Sequence, residues 1–188
     1  MIDKLGDIWV FAYGSLMWNP QFDHQGMAPA LLRGYHRSFC VYSHVWRGTK
    51  ERPGLVLGLD SGGSCRGQAF LIAAANAARV LEYLDRRERV TEVYLRRSVP
   101  VMVTPPGAAA IRVIAHTYVV DRGHHQYAGK LPPDEAAALI FQGSGRSGPN
   151  YEYLASTVVH LDEMGIKESP LHVLDERVRG LMEAEINT

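Results

Sequence analysis

The order in which the hydrophobic patterns change period restricts the fold of this chain more than any other feature. Residues 7–13 (DIWVFAY) are a short apolar, aromatic and β-branched run stopped by Gly14, as in a buried strand. Apolar and polar residues then roughly alternate over 31–43 (LLRGYHRSFCVYS), which predicts a half-buried strand with an early break at Gly34. WRGTKERPG at 46–54 reads as a loop, and SGGS at 61–64 predicts a hairpin turn between strands over 55–60 and 65–72. Residues 76–88 (NAARVLEYLDRRE) form the clearest helical segment, with no Gly or Pro inside it and Asn76 as its expected N-cap. Strands follow over 94–103 and 111–120, and helices over 133–142, 151–164 and 170–185. Strands first, one helix among them and helices last predict an α+β fold built on a mostly antiparallel sheet or small barrel. Repeated βαβ units would have alternated.

With 188 residues the chain is expected to be a single domain, 1–188, whose C-terminal segment is helical from about 133. Twenty Lys and Arg balance twenty Asp and Glu, so the basic excess of a general nucleic-acid or anionic-membrane binder is missing. The partner is therefore expected to be a small molecule, with no nucleic acid and no membrane. Cys40 and Cys65 match no metal-ligand or disulfide spacing and read as idle thiols of a reducing compartment. The first sixteen residues carry acidic side chains and no signal-peptide core, and no run nears the ~20 apolar residues of a spanning helix. The expected location is the cytoplasm.

Three motifs carry less than their letters suggest. GSGRSG at 143–148 spells G-x-G-x-x-G, but a helical pattern precedes it where dinucleotide binding needs a strand, so it reads as a link between helices. His124 and His125 are adjacent, with His116 eight residues earlier; neighbouring side chains diverge and further ligands are not placed, so no metal is expected. Ser15 lacks the G-x-S-x-G context of a nucleophile elbow.

Two features do suggest chemistry. At about 100° per residue, Ala77, Val80, Leu81, Leu84 and Glu88 fall on one stripe of the helix, so a face meant for burial ends in a carboxylate. Burial and the negative end of the helix dipole both favour the protonated form, the direction a general acid/base near neutral pH requires. The alternative is a helix that ends earlier and leaves Glu88 solvated or paired with an Arg. At the exit of the first strand, Gly14 permits a sharp turn that frees backbone N–H groups for a ligand carboxylate, with Tyr13 and Ser15 adding hydroxyls.

These pieces stand in an ordered series that resembles the ChaC family of γ-glutamylcyclotransferases. The series is FAYGSLMWNP (11–20), LRGYHRSF (32–39), RGTKERPGLVLGL (47–59), YLDRRE (83–88), VYLRRSVPV (93–101), YAGKLP (127–132) and GRSGPNYEYL (145–154). The resemblance implies a small mixed β-barrel flanked by helices, with the site at one end of the barrel. It also implies conversion of glutathione to 5-oxoproline and cysteinylglycine without metal, nucleotide or other cofactor. Glu88 matches the family's catalytic glutamate, and Tyr13, Gly14, Ser15 and Leu16 match the loop that holds the γ-glutamyl group. Tyr127 resembles a pocket-lining tyrosine. ERVTEVY at 88–94 keeps the family's aromatic but varies around it, which could alter the pocket wall. Arg37, Arg47, Lys50 and Arg52 concentrate positive charge; solvated surface charge is the plainer reading of that cluster, and Arg47 is the member carried forward as a receiver of glutathione's terminal carboxylate. Glu82 and Asp85 are the carboxylates expected to matter less. The competing readings are a cyclotransferase for other γ-glutamyl amides or amines, and a non-catalytic γ-glutamyl-binding module.

Overall fold

The computed structural model describes residues 6–88 and 92–187. Its described residues contain β1 (Ile8–Ala12), a 3-10 turn (Ser15–Met17), β2 (Gly26–Ser43), β3 (Gly54–Ile72), α1 (Ala74–Glu88), β4 (Tyr94–Val103), β5 (Ile111–Val120), α2 (Pro133–Gln142), the two-residue strands β6 (Ser144–Gly145) and β7 (Gly148–Pro149), α3 (Asn150–Glu163) and α4 (Ser169–Ile186). By contacts the chain divides into two compact units. One holds the N-terminal part to Arg37 with Leu59–Asp121, and the other Ser38–Gly58 with the chain from Arg122 onward.

Five strands close a barrel in the order β1-β3-β2-β4-β5. β1 runs antiparallel to β3 and parallel to β5, so the barrel is mixed, as the resemblance implied. Period-two alternation divides its faces. Phe11, Ala28, Leu32, Leu59, Cys65, Ala69, Val101 and Ala115 fill the inside, whereas Val10, Ala12, Phe70 and Ile72 are buried without joining that cluster.

The expected hairpin at 61–64 is absent: β3 is a single strand of 19 residues. Gly62 and Gly63 have φ of +102° and +71°, and the Gly62 carbonyl lies 3.0 Å from His36 Nδ1 on β2. Positive-φ glycines bend a strand as readily as they reverse it, and Leu59 and Cys65 on either side face the same interior.

Asn76 is likewise not the cap of α1. The helix begins two residues earlier, where Asp7 Oδ1 accepts from the Ala74 amide at 2.9 Å. A side chain distant in sequence performs the capping that local pattern had given to Asn76. The expected stripe is buried: Ala77, Val80, Leu81 and Leu84. Its three larger side chains contribute about 1.5–3 kcal/mol each. That outweighs the ~1.4 kcal/mol per pKa unit of holding a carboxylate in a less favourable state, so Glu88 is carried along with its helix.

In the other unit, α2, α3 and α4 pack on one another, and Arg177 pairs with Asp134 across α2 and α4. Asn150 is wholly buried; its side-chain amide exchanges hydrogen bonds of 2.7 and 2.8 Å with the main chain of Leu55. GSGRSG forms the β6–β7 ribbon between α2 and α3. A Cβ on Gly143 would come within 2.6 Å of the Arg47 carbonyl, so this glycine serves close backbone packing.

Candidate active site

α1 starts beside Asp7, just before β1, and its last turn reaches the loop just after β1. That closure is made by Arg87, which sits next to Glu88. Its Nη2 donates to Ser15 Oγ at 2.8 Å, its Nη1 to the Tyr83 hydroxyl at 3.1 Å and its Nε to Glu88 Oε1 at 3.1 Å. The two side chains of this ion pair remain only 27% and 19% exposed. Burial pushes the Glu88 carboxyl above its ordinary pKa, and the charge and hydrogen bond of Arg87 partly offset the rise. A half-buried carboxylate, tethered but not neutralised, is thereby held at a loop of polar groups.

The loop is fixed from beneath. Arg37, only 4% exposed, donates through Nε to the Tyr13 carbonyl and through Nη2 to the Arg66 carbonyl at 2.7 Å, and approaches Met17 Sδ. It is no part of a solvated basic cluster; it braces the strand exit. Tyr13 packs against the barrel interior. Gly14 has a φ of −131°, outside the left-handed region, and its carbonyl accepts from the Met17 amide at 2.8 Å. The turn is therefore a 3-10 one, in which the Ser15 and Leu16 amides precede the first internal bond and point away from it.

A second carboxylate network lies on the same helix. Asp85 accepts from the Tyr118 hydroxyl at 2.6 Å and pairs with Arg96 at 3.1 Å. Burial and this carboxylate push the Tyr118 hydroxyl far up, and Glu88 adds to the rise, so it stays protonated as a donor. Asp85 is thus engaged inside the fold, whereas Glu82 makes only an exposed i,i+4 pair with Arg86.

The other two expected contacts belong to the helical unit. Arg47 Nη1 donates to the Pro149 carbonyl at 3.0 Å, and its guanidinium stacks 5.3 Å from the centroid of Tyr153. Tyr127 bridges to Val41, with Arg122 over its ring. The wall expected at 88–94 falls partly on 89–91, outside the described residues. Sequence reasoning passed over Arg87 and Tyr118, and it counted Arg37 with the basic cluster where the structure uses it as a brace. Alternation along 111–120 would have put Tyr118 on the outer face, where α1 meets it through Asp85; the contacts of the two arginines had no local signal. Among the described residues no cluster of His, Cys, Asp or Glu could hold a metal ion.

Residues 8–183 match the sequence profile of the family described as ChaC-like protein. The chain belongs to the ChaC family. It is 32% identical to the glutathione-specific gamma-glutamylcyclotransferase of Escherichia coli (strain K12), over 94% of this chain and 75% of that protein. The protein of the same name from Schizosaccharomyces pombe (strain 972 / ATCC 24843) is also 32% identical, over 96% and 93% of the two chains. A crystal structure of the yeast gamma-glutamyl cyclotransferase specific to glutathione superposes with a TM-score of 0.82 at 24% identity, covering 94% of this chain and 97% of that one. The ChaC fold is therefore the fold of this chain, an α+β fold with a closed five-stranded barrel and helices.

Proposed function

We propose that this ChaC-family protein is a γ-glutamylcyclotransferase that cleaves glutathione to 5-oxoproline and cysteinylglycine. The observation that carries the reading is Glu88: a half-buried carboxylate with a raised pKa, tied through Arg87 to Ser15 of the strand-exit loop. The names of the relatives support glutathione as the substrate.

A γ-glutamyl peptide contains its own nucleophile, the α-amine, placed to close a five-membered ring on the γ-glutamyl carbonyl carbon. Holding that chain folded makes the attack intramolecular, which is worth several kcal/mol of barrier. The Ser15 and Leu16 amides, with Tyr13 and Gly14 shaping the loop, hold the α-carboxylate or polarise a substrate oxygen. Glu88 takes a proton from the α-amine as its nitrogen bonds to the γ-glutamyl carbonyl carbon. It returns that proton to the cysteinyl nitrogen as the bond between that carbonyl carbon and the cysteinyl nitrogen breaks. One carboxyl serves as base and then acid, and no covalent enzyme intermediate is formed. Tyr127 and Arg47 are proposed for the substrate wall and the terminal carboxylate. The proposed setting is the cytoplasm, with a small molecule and no nucleic acid as partner; no described helix is long and apolar enough to cross a membrane.

Incubation of the purified protein with glutathione, without added metal or ATP, is expected to release 5-oxoproline and cysteinylglycine in equal amounts. Free glutamate would mark a hydrolase, and absence of turnover a binding module. Cyclisation of γ-glutamyl amines in preference to glutathione would reassign the substrate.

A further inference from the structure

The oxygen of the Gln68 side chain is buried without a hydrogen-bond partner, the only side-chain polar atom in that position among the described residues. Its location gives this meaning. Gln68 on β3 lies directly opposite Ala12, the last residue of β1 before the loop at 13–16. Directly paired residues share a face. On these two strands Phe11 and Ala69 point into the barrel, so Ala12, Gln68 and Phe70 are on the outer face. That face is covered by α1: Tyr118 reaches Asp85 from β5, and Phe22 packs against both Phe70 and Tyr83. At the Ala12 end of this layer the final helical turn meets the loop through Arg87 and Ser15.

A hydrocarbon side chain would meet every need of packing there, as Phe70 and Ile72 do on the same strand face. A carbonyl whose lone pairs have left water without a new partner destabilises the free protein, and such atoms are rare in native folds. A ligand N–H would restore the missing bond.

We propose that Gln68 is a substrate-binding residue whose side-chain carbonyl accepts a hydrogen bond from the α-amine of the γ-glutamyl group. The assignment rests on the cyclotransferase reading and adds to it the group that orients the nucleophile. The α-ammonium makes the stronger, charge-assisted bond to a carbonyl than the neutral amide at the other end of the γ-glutamyl unit does. The attacking species is the neutral amine, with two N–H bonds and one lone pair; Glu88 takes one of those two protons as the nitrogen bonds to the carbonyl carbon, and the other N–H remains. A fixed acceptor for one N–H restricts where that lone pair points, and the near-attack geometry aims it at the γ-glutamyl carbonyl carbon. In the product the same nitrogen is the ring N–H of 5-oxoproline, which keeps the bond.

The experiment compares wild type with Gln68→Met, of similar length and without the carbonyl. Melting temperature, glutathione turnover and inhibition by 5-oxoproline are measured on both. Gln68→Met is expected to melt about 2–4 °C higher, because an unsatisfied buried acceptor is gone. Its kcat/KM is expected to fall about 10- to 100-fold, and the inhibition constant of 5-oxoproline to rise about 10-fold. Gln68→Leu supplies a second apolar replacement if Met packs poorly. If both variants melt below wild type, the carbonyl has a partner within the fold and the assignment is overturned. Equally, a wild-type kcat/KM or an unchanged 5-oxoproline constant in a folded variant removes Gln68 from the substrate site while leaving the cyclotransferase reading intact. A wild-type protein that forms no 5-oxoproline removes both.

Discussion

Arg87 and Arg47 are both half-buried arginines of one chain, and their surroundings separate two uses of the same side chain. Arg87 directs its guanidinium at side chains: a carboxylate, a serine hydroxyl and a phenol. Arg47 directs its own at architecture, the Pro149 carbonyl and the face of Tyr153. Five rigid donors suit either task. The difference teaches that a basic cluster in sequence is a poor guide to a substrate cation. Arg87, which no motif singled out, instead ties Glu88 to the strand-exit loop.

The sharpest way to break this comparison is to remove the carboxylate that gives Arg87 its meaning. Glu88→Gln is expected to remain folded and to lose about 10²–10⁴ in kcat, measured as 5-oxoproline release. Near-wild-type turnover by the folded variant would falsify the mechanism. The same variant has a signature in stability. Glu88 has a higher pKa folded than unfolded, so its contribution is fully present below the unfolded pKa and is lost as pH rises through the folded one. Glu88→Gln should therefore gain melting temperature over wild type at neutral pH and show no such gain in acid.

Arg87→Met comes next. With the offsetting charge and hydrogen bond gone, burial raises the Glu88 pKa further, and the acidic limb of the kcat/KM profile should move to higher pH. Arg96, Asp85 and Tyr118 also act on this region from β4, α1 and β5, so Arg87→Lys is the control that keeps the charge. The expected loss in kcat/KM is about 10- to 100-fold for Met and smaller for Lys. An unmoved limb would reduce Arg87 to a structural tie like Arg47.

Tyr118→Phe sharpens the contrast between the two carboxylates of α1. It takes a donor from Asp85 and is expected to cost about 1–3 kcal/mol in denaturant unfolding while leaving the pH profile in place. The smallest effect belongs to Arg47→Ala. Loss of the Pro149 bond should cost about 1 kcal/mol of stability. The proposed carboxylate contact should raise KM for glutathione about threefold more than for γ-glutamyl-alanine. Equal changes in the two KM values would leave Arg47 its structural task alone.

How far these features were legible depended on the range of the forces behind them. The stripe of Ala77, Val80, Leu81 and Leu84 follows from a local period, and the structure buries all four. The strands at 94–103 and 111–120 and the helix at 133–142 follow from local pattern too, and their bounds coincide with β4, β5 and α2. SGGS misled because left-handed glycines are compatible with both a reversal and a bend; pairing with β2 decides between them, and pairing is non-local. Asn76 misled because the capping carboxylate, Asp7, comes from 67 residues away.

What the amino-acid sequence determined alone was periodicity and order: an α+β chain, a helix whose buried face ends in Glu88, and a motif series that resembles one family. Only the tertiary structure decided which polar groups meet. It put Arg87 between Glu88 and Ser15, Arg37 under Tyr13, Tyr118 on Asp85 and the Gln68 carbonyl beneath the helix without a partner. The reason is physical. Apolar burial acts by area and repeats along the chain, so its pattern is written locally, whereas a hydrogen bond needs two atoms within about 3 Å, a coincidence that only barrel closure creates.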